Sequence, residues 1–494
     1  MVRRQQVVWV GSAAPSGLET AAAMRRLSLI ERDQPSDDEL ASARAAIFDV
    51  PRYSGSVAKL LTEQLPRCIV HGVRPIIRAD SAIIKTVQGL VPELKERWLS
   101  FDTRRSLEDL LEEARDAGFD PGPSYRKDIV IRGFALTGED LLLVQRAFHD
   151  CDEVELFRLT EGKSQAIVLR VHARIGRKAP GSFTLPFLAK IDDVNNIRQE
   201  CANFEEFVSG HIPFTQRPNL DSDRSIFGTS RGILVGDFVE DAVSLSAISD
   251  RPEGRNVIYS IFDDALRSWR RHAYADPAES KISITELLPD VIRPGEIIAS
   301  IRSRAAAFGL KDTPENLEKR LKDVSAFHYR RGIIHGDLHP GNVMVRGTEA
   351  ILIDFFGIWR SAPLVADVAC LEVAFCFTVA AERVANGVTK VHRKEFAAWR
   401  SAIDALFDPA CLRYVPPLQE PPSRYSWLWS ACRQTRGMAH QIGADGAPYA
   451  CALVTYLLRR ARLGGYPREN IAVAAYALRT AEKVLLCIEK GGFN

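Results

Sequence analysis

The sequence predicts a two-lobed α+β domain preceded by a small α/β domain. Three observations lead there. Strand-like and helix-like stretches alternate over residues 7–77, the pattern turns β-rich beyond Asp152, and helical periodicity dominates from Val257 to Lys490. At 494 residues the chain is too long for one core, and it divides into segments 1–122, 123–250 and 251–494.

In the first segment, residues 7–10 form a short β-branched and aromatic run and residues 18–26 read as helix. Residues 27–30 and 45–50 read as a second and third strand, 56–65 as helix, and 73–77 as strand again. This alternation predicts a small parallel sheet. Asp49 closes the third strand, and the turn after the first strand carries no acidic residue, reading Val10-Gly11-Ser12-Ala13. Residues 107–117 are an amphipathic helix, and Gly118 with the Asp120-Pro121-Gly122-Pro123 cluster marks its end and the domain boundary.

The second segment supplies strands at 154–159, 166–174 and 187–191, the last ending near Lys190. An amphipathic helix follows, carrying Glu200 and Glu205 and burying Phe204 and Phe207. Residues 160–164 join the first two of these strands and contain Gly162, and residues 232–239 read as a strand running towards the third segment.

Apolar residues make up 46% and charged residues 26%, the proportions of a globular chain rather than a disordered one. A net charge of +2 gives no chain-wide attraction to nucleic acid or anionic membrane. The nine cysteines are scattered, with no C-x-x-C pair, and read as reduced thiols of a cytoplasmic protein. Residues 7–10 are too few for a signal h-region, and the apolar stretch 363–381 contains Asp367 and Glu372, so it reads as a buried helix rather than a membrane span.

The chemistry concentrates between Gly332 and Gly357. The run His335-Gly336-Asp337-Leu338-His339-Pro340-Gly341-Asn342 precedes two apolar runs, 343–345 and 351–353, which read as a hairpin; Asp354-Phe355-Phe356-Gly357 follows. Such a hairpin brings Asp337, Asn342 and Asp354 to one end. Phosphoryl transfer needs positioned charge, with magnesium across the phosphates and a carboxylate to take the acceptor's proton, and these residue types supply it.

On these residues the third segment resembles the aminoglycoside and choline kinase-type phosphotransferases of the protein-kinase-like superfamily, since Asp337 and Asn342 have the D-x-x-x-x-N spacing and Asp354 the D-F-G place. The implied fold is an α+β two-lobed protein-kinase-like fold after a receiver- or flavodoxin-like α/β domain. The resemblance implies ATP and Mg2+ as cofactors, Asp337 as catalytic base, and Asn342 and Asp354 as metal ligands. His335 would support the loop from beneath, and Asp367 would hold it from the following helix. Lys190 would meet the ATP phosphates, oriented by Glu200, with Glu205 the alternative. Gly162 would cover the phosphates, unless its turn is an ordinary hairpin, and main chain between Asp237 and Val239 would meet adenine.

Gly336 stands where many regulated protein kinases carry arginine, and only a short interval separates Asp354 from Asp367, with no A-P-E motif. Activation-loop phosphorylation is therefore not expected, and a small or unusual hydroxyl acceptor is favoured over an extended peptide. The first segment resembles a degenerate response-regulator receiver whose missing carboxylates leave Asp49 poorly suited to phosphorylation, and it is a place for a protein partner. The pairing is more faintly similar to ternary-complex-associated kinase-like proteins of bacterial conflict systems. The alternatives are a nucleotide-binding pseudokinase scaffold and an antibiotic-modifying phosphotransferase.

Overall fold

In the computed structural model the described residues are 6–11, 13–90, 100–102, 106–116, 128–159, 166–174, 185–228, 230–274, 280–382, 390–413, 424–444, 446–464 and 470–493. They form two compact units, Met1–Ala202 with Asn219–Phe238, and Asn203–Pro218 with Val239–Asn494.

The first unit begins with a parallel sheet of β1 (Gln6–Gly11), β2 (Ser28–Arg32), β3 (Ala43–Val50), β4 (Arg74–Ala79) and β5 (Ser100–Asp102), in the order β2-β1-β3-β4-β5. That order is the flavodoxin-like one, with its switch point between β1 and β3. The apolar runs at 7–10 and 45–50 make β1 and β3, two of the three interior strands, and are buried on both faces. Val8, Val10, Ala46, Phe48 and Val50 enter one core; Val7, Trp9, Ala45 and Ile47 enter the other. The helix Asp37–Ser42, absent from the sequence expectation, starts at a capping box in which Ser36 and Glu39 satisfy each other's backbone N–H groups.

Asp49 lies at the carboxyl end of β3, and Arg78 at the end of β4 reaches its Oδ1 at 3.4 Å. Gly11, beside it at the end of β1, has φ of 116°. A side chain there would bring a Cβ within 2.9 Å of the Asp49 carbonyl oxygen.

The same unit holds a six-stranded sheet in the order β10-β11-β9-β8-β7-β6. Its strands are β6 (Val130–Gly133), β7 (Glu153–Arg158), β8 (Ile167–Arg174), β9 (Phe187–Asp193), β10 (Ile226–Phe227) and β11 (Arg231–Asp237). β6 and the helix Gly138–Ala147 were not foreseen, because short polar-flanked runs carry little periodic signal. Period-two alternation decides the position of Lys190: Ala189 and Ile191 enter the core, which leaves Lys190 on the other face of β9.

The second unit is mostly helical. Two small pairings stand at its start, β12 (Val243–Ser244), added to the hairpin described below, and β13 (Ile282–Ser283) with β14 (Ala326–Phe327). Then come β15 (Arg331–Ile334), β16 (Val343–Arg346), β17 (Glu349–Leu352) and β18 (Trp359–Pro363), where β15 pairs antiparallel with β18 and β16 with β17. The helix Val365–Ala374 is buried at all ten positions and packs against the helices Trp427–Gln441 and Ala447–Leu463. This accounts for the apolar stretch at 363–381 without a membrane; among the described residues no helix is long and apolar enough to cross one. Tyr425, Trp427 and Trp429 are core residues of this helical layer.

Candidate active site

The hairpin sets the site. β16 and β17 pair in the register Val343↔Leu352, Met344↔Ile351, Val345↔Ala350. The Ile353 N–H continues that ladder to the Asn342 carbonyl at 3.0 Å, so Asn342 and Asp354 flank its open end. Asp354 itself adopts φ 63° and ψ 74°, a left-handed conformation uncommon outside glycine. The Asn342 side-chain amide donates to the Asp337 carbonyl at 3.0 Å and so ties the loop to the hairpin. The loop is also closed internally, where the His339 N–H reaches the Asp337 carbonyl at 2.9 Å and the Asn342 N–H the His339 carbonyl at 2.8 Å.

Two buried side chains hold this loop from below. Asp367 accepts the His335 N–H at Oδ2 (2.7 Å) and the Gly336 N–H at Oδ1 (2.9 Å). Burial pushes the Asp367 carboxyl up, while the charge of His335 and the two amide hydrogen bonds work the other way. The imidazole Nε2 of His335, fully buried, pairs with the Ile353 carbonyl at 3.0 Å, linking loop to hairpin a second time. Gly336 has φ 75°, and a Cβ there would lie 2.0 Å from the Gly357 carbonyl oxygen. An arginine at this position is excluded by that contact as much as by the backbone conformation. Asn203 adds a third tie, donating its side-chain amide to the Phe355 and Phe356 carbonyls at 2.9 and 3.0 Å.

Asp337 is 38% exposed at its side chain and is paired. Arg459, from the helix Ala447–Leu463, donates from Nη2 to Asp337 Oδ1 at 2.9 Å. His339 Nε2 lies 3.9 Å from Oδ2, while its Nδ1 accepts the Gly341 N–H at 3.0 Å. Burial opposes the charge of Asp337, but the Arg459 guanidinium, then His339 and His335, hold its carboxyl below the usual range. Burial likewise lowers His339, against the pull of Asp337.

Arg459 was assigned no role from the sequence. No signal local to its stretch of sequence separates it from Arg460; its place on the helix does. From 449 to 461 the helix buries every residue except Arg459, and an arginine on such a helix needs a partner. Arg436, equally unassigned, is a different case. Fully inside the helical layer, it makes a salt bridge to Glu372 at 2.7 Å, and Thr435 and Tyr449 hydroxyls complete that carboxylate.

Of the remaining sequence candidates, Lys190, Glu200 and Asp237 lie in the first unit and Glu205 in the second. Lys190 Nζ meets Glu200 Oε2 at 2.8 Å, with both side chains largely buried, whereas Glu205 is exposed. The Asp237 N–H is already given to the Asn219 carbonyl at 2.9 Å and the Phe238 N–H to Pro186 at 3.1 Å, which leaves carbonyl groups rather than those amides for a base. Gly162 lies outside the described residues, and Val239, which follows β11, belongs to the second unit.

Asn342 and Asp354 are oxygen donors suited to magnesium. With its amide nitrogen given to Asp337, Asn342 turns to a cation only through its oxygen. Among the described residues no group of three or more His, Cys, Asp or Glu could hold a metal alone. One carboxylate and one amide match a magnesium ion whose shell is completed by phosphate oxygens and water.

Residues 306–490 match the model of ternary complex associated domain 9. The matched stretch contains Asp337, Asn342, Asp354, Asp367 and Arg459. No curated protein matches the chain. Among solved structures, the aminoglycoside phosphotransferase APH(4)-Ia is 13% identical, covering 69% of this chain and 96% of its own, with a TM-score of 0.39. A microcompartment-associated aminopropanol kinase is 13% identical over 70% and 96%, with a TM-score of 0.36. A putative fructosamine-3-kinase from Haemophilus somnus is 8% identical over 67% and 90%, also with 0.36. The protein-kinase-like character of the chain rests on its own elements: the antiparallel strands β7, β8, β9 and β11 with the Lys190–Glu200 pair, and the loop, hairpin and clamped helix of the second unit.

Proposed function

We propose that the chain is an ATP-dependent phosphotransferase that moves the γ-phosphoryl group to a hydroxyl. The observation that carries this reading is the convergence of Asp337, Asn342 and Asp354 at one end of a hairpin, with the Asp337 loop held by Asp367 through two backbone N–H groups. A loop fixed in this way presents a carboxylate with little reorganisation, which is what positioning catalysis requires.

Asp337 orients the acceptor hydroxyl and takes its proton as the oxygen attacks the γ-phosphorus and ADP leaves. Asn342 and Asp354 would hold magnesium, which when bound would neutralise charge on the phosphates. Lys190, kept in place by Glu200, binds phosphate oxygens through its ammonium group. The receiver-like domain is a site for a protein partner, and its Asp49, paired with Arg78 and without neighbouring acidic residues on the β1 turn, is a structural carboxylate.

The test is transfer of label from γ-labelled ATP, with magnesium, to fractionated small molecules and proteins, with Asp337→Asn in parallel. Labelled product from wild type alone supports the reading. Absence of both nucleotide binding and transfer in the wild type overturns it.

A further inference from the structure

We propose that Arg459 is the acceptor-recognition residue of this site and that it selects an acceptor carrying an anionic group, a carboxylate or a phosphate, close to the hydroxyl that is phosphorylated. The inference rests on the phosphotransferase reading and adds the charge class of the acceptor to it.

A guanidinium offers five N–H donors in one plane. In Arg459 one prong is well used, Nη2 on Asp337 Oδ1 at 2.9 Å. The second is not: Nη1 reaches the Gly336 carbonyl at 3.5 Å and the Cys370 sulfur at 3.7 Å, both long contacts. The group is nevertheless held in place. It projects from a helix buried on all other sides along 449–461, with the Tyr456 ring 5.7 Å away. Its side chain is 18% exposed, and that of Asp337 38%, so the pair remains open to solvent.

A hydroxyl that donates to Asp337 therefore arrives beside a fixed positive charge. Hydrogen-bond lengths place it roughly 3–5 Å from the guanidinium nitrogens. An oxyanion one or two carbons along the acceptor would give Nη1 a shorter, charged partner than its two long contacts, in the bidentate geometry that arginine forms with carboxylates and phosphates. An ammonium group in the same place would meet Arg459 as a like charge. Arginine stays protonated at every working pH, so this discrimination does not switch off.

The experiment compares ligands of one skeleton and different charge. Glycerate, glycerol 3-phosphate, glycerol and 3-aminopropane-1,2-diol, and the larger set galacturonate, galactose and galactosamine, are titrated into the full chain loaded with magnesium and AMP-PNP. Transfer to each is then measured with MgATP. In the wild type the anionic members are expected to bind, or react, about tenfold or more better than the neutral ones, with the amines weakest. Arg459→Gln should bring the anion-to-neutral ratio close to one, and Arg459→Lys should restore part of it. A general loss of folding would lower all ligands together and leave that ratio unchanged. Equal binding of the three charge classes, preference for the amines, no binding of any anion, or an anion preference that survives Arg459→Gln overturns the assignment. Failure of AMP-PNP itself to bind would instead remove the phosphotransferase reading, so the two failures are separable.

Discussion

The Asp367 carboxylate accepts the His335 backbone N–H at 2.7 Å, joining the start of a fully buried helix to the loop that carries Asp337. Its other oxygen takes the next amide, that of Gly336, at 2.9 Å. One side chain thus satisfies two consecutive backbone donors, one buried and one part-buried, and sets the direction of the chain as it enters the loop.

Asp367→Ala leaves both donors without a partner. An unsatisfied buried group costs about 1–3 kcal/mol and the part-buried Gly336 N–H less, so a loss of roughly 2–4 kcal/mol is expected. Thermal unfolding of the variant should fall by several degrees, and its transfer rate by about 100-fold through misplacement of Asp337. A variant with wild-type melting temperature and rate would show that the clamp is dispensable.

Gly336→Ala should be more damaging than a methyl group suggests. The added Cβ would overlap the Gly357 carbonyl oxygen at 2.0 Å, and φ 75° is unfavourable for alanine. Rearrangement must spread to the segment after Asp354. Calorimetric unfolding combined with MgATP turnover should show losses in both, whereas Gly347→Ala, at φ 63° in the hairpin turn with no heavy atom within 4 Å of its Cβ, should lower stability by only about 1–2 kcal/mol and leave turnover intact.

These local contacts mark how far the sequence could be read. Asp337, Asn342 and Asp354 were legible because they lie close in sequence on a loop and hairpin whose strand periods are plain, and Lys190 and Glu200 because one strand and the following helix connect them. Arg459 was not: it meets Asp337 across 122 residues, and nothing local distinguishes it from the neighbouring Arg460. Arg460 instead gives its Nε to the Phe377 carbonyl. Strand β6 and the helix Asp37–Ser42 were missed for the opposite reason, being too short to build a periodic signal.

The Lys190–Glu200 pair is largely buried, with side chains 15% and 8% exposed. Removing one member of such a pair leaves the other charge uncompensated, at a cost of about 3–5 kcal/mol. Lys190→Met should therefore destabilise the fold, Lys190→Met with Glu200→Gln should recover most of that loss, and neither should bind nucleotide as tightly as wild type. Chemical denaturation of the single and double variants, with nucleotide titrations of each, checks both statements. Full recovery of nucleotide affinity in the double variant would remove Lys190 from the binding role.

Acid stability should depend on Asp150. Arg224 bonds both its carboxylate oxygens, at 2.6 and 2.7 Å. Burial opposes its ionisation, and the Arg224 hydrogen bonds and charge overcome that, holding the carboxyl at about 2 against an ordinary 3.8. A depressed folded-state value means that the stabilisation is complete above pH 3.8 and is lost as the pH falls through 2. Because the Asp150 side chain is 38% exposed, solvent screening limits the contribution to about 1 kcal/mol. Denaturation of wild type and Asp150→Asn from pH 6 down should show a gap that closes over this interval; a gap independent of pH would contradict it.

The most direct measurement is MgATP binding and turnover, with a saturating acceptor, in wild type, Asp337→Asn and Asp354→Asn. The expected result is that Asp337→Asn binds MgATP about as well as wild type yet turns over roughly 100-fold or more slowly, as loss of a general base requires, while Asp354→Asn loses magnesium-dependent affinity. Turnover by Asp337→Asn at the wild-type rate, or nucleotide affinity in Asp354→Asn with unchanged magnesium dependence, would contradict the roles assigned to this hairpin and its loop.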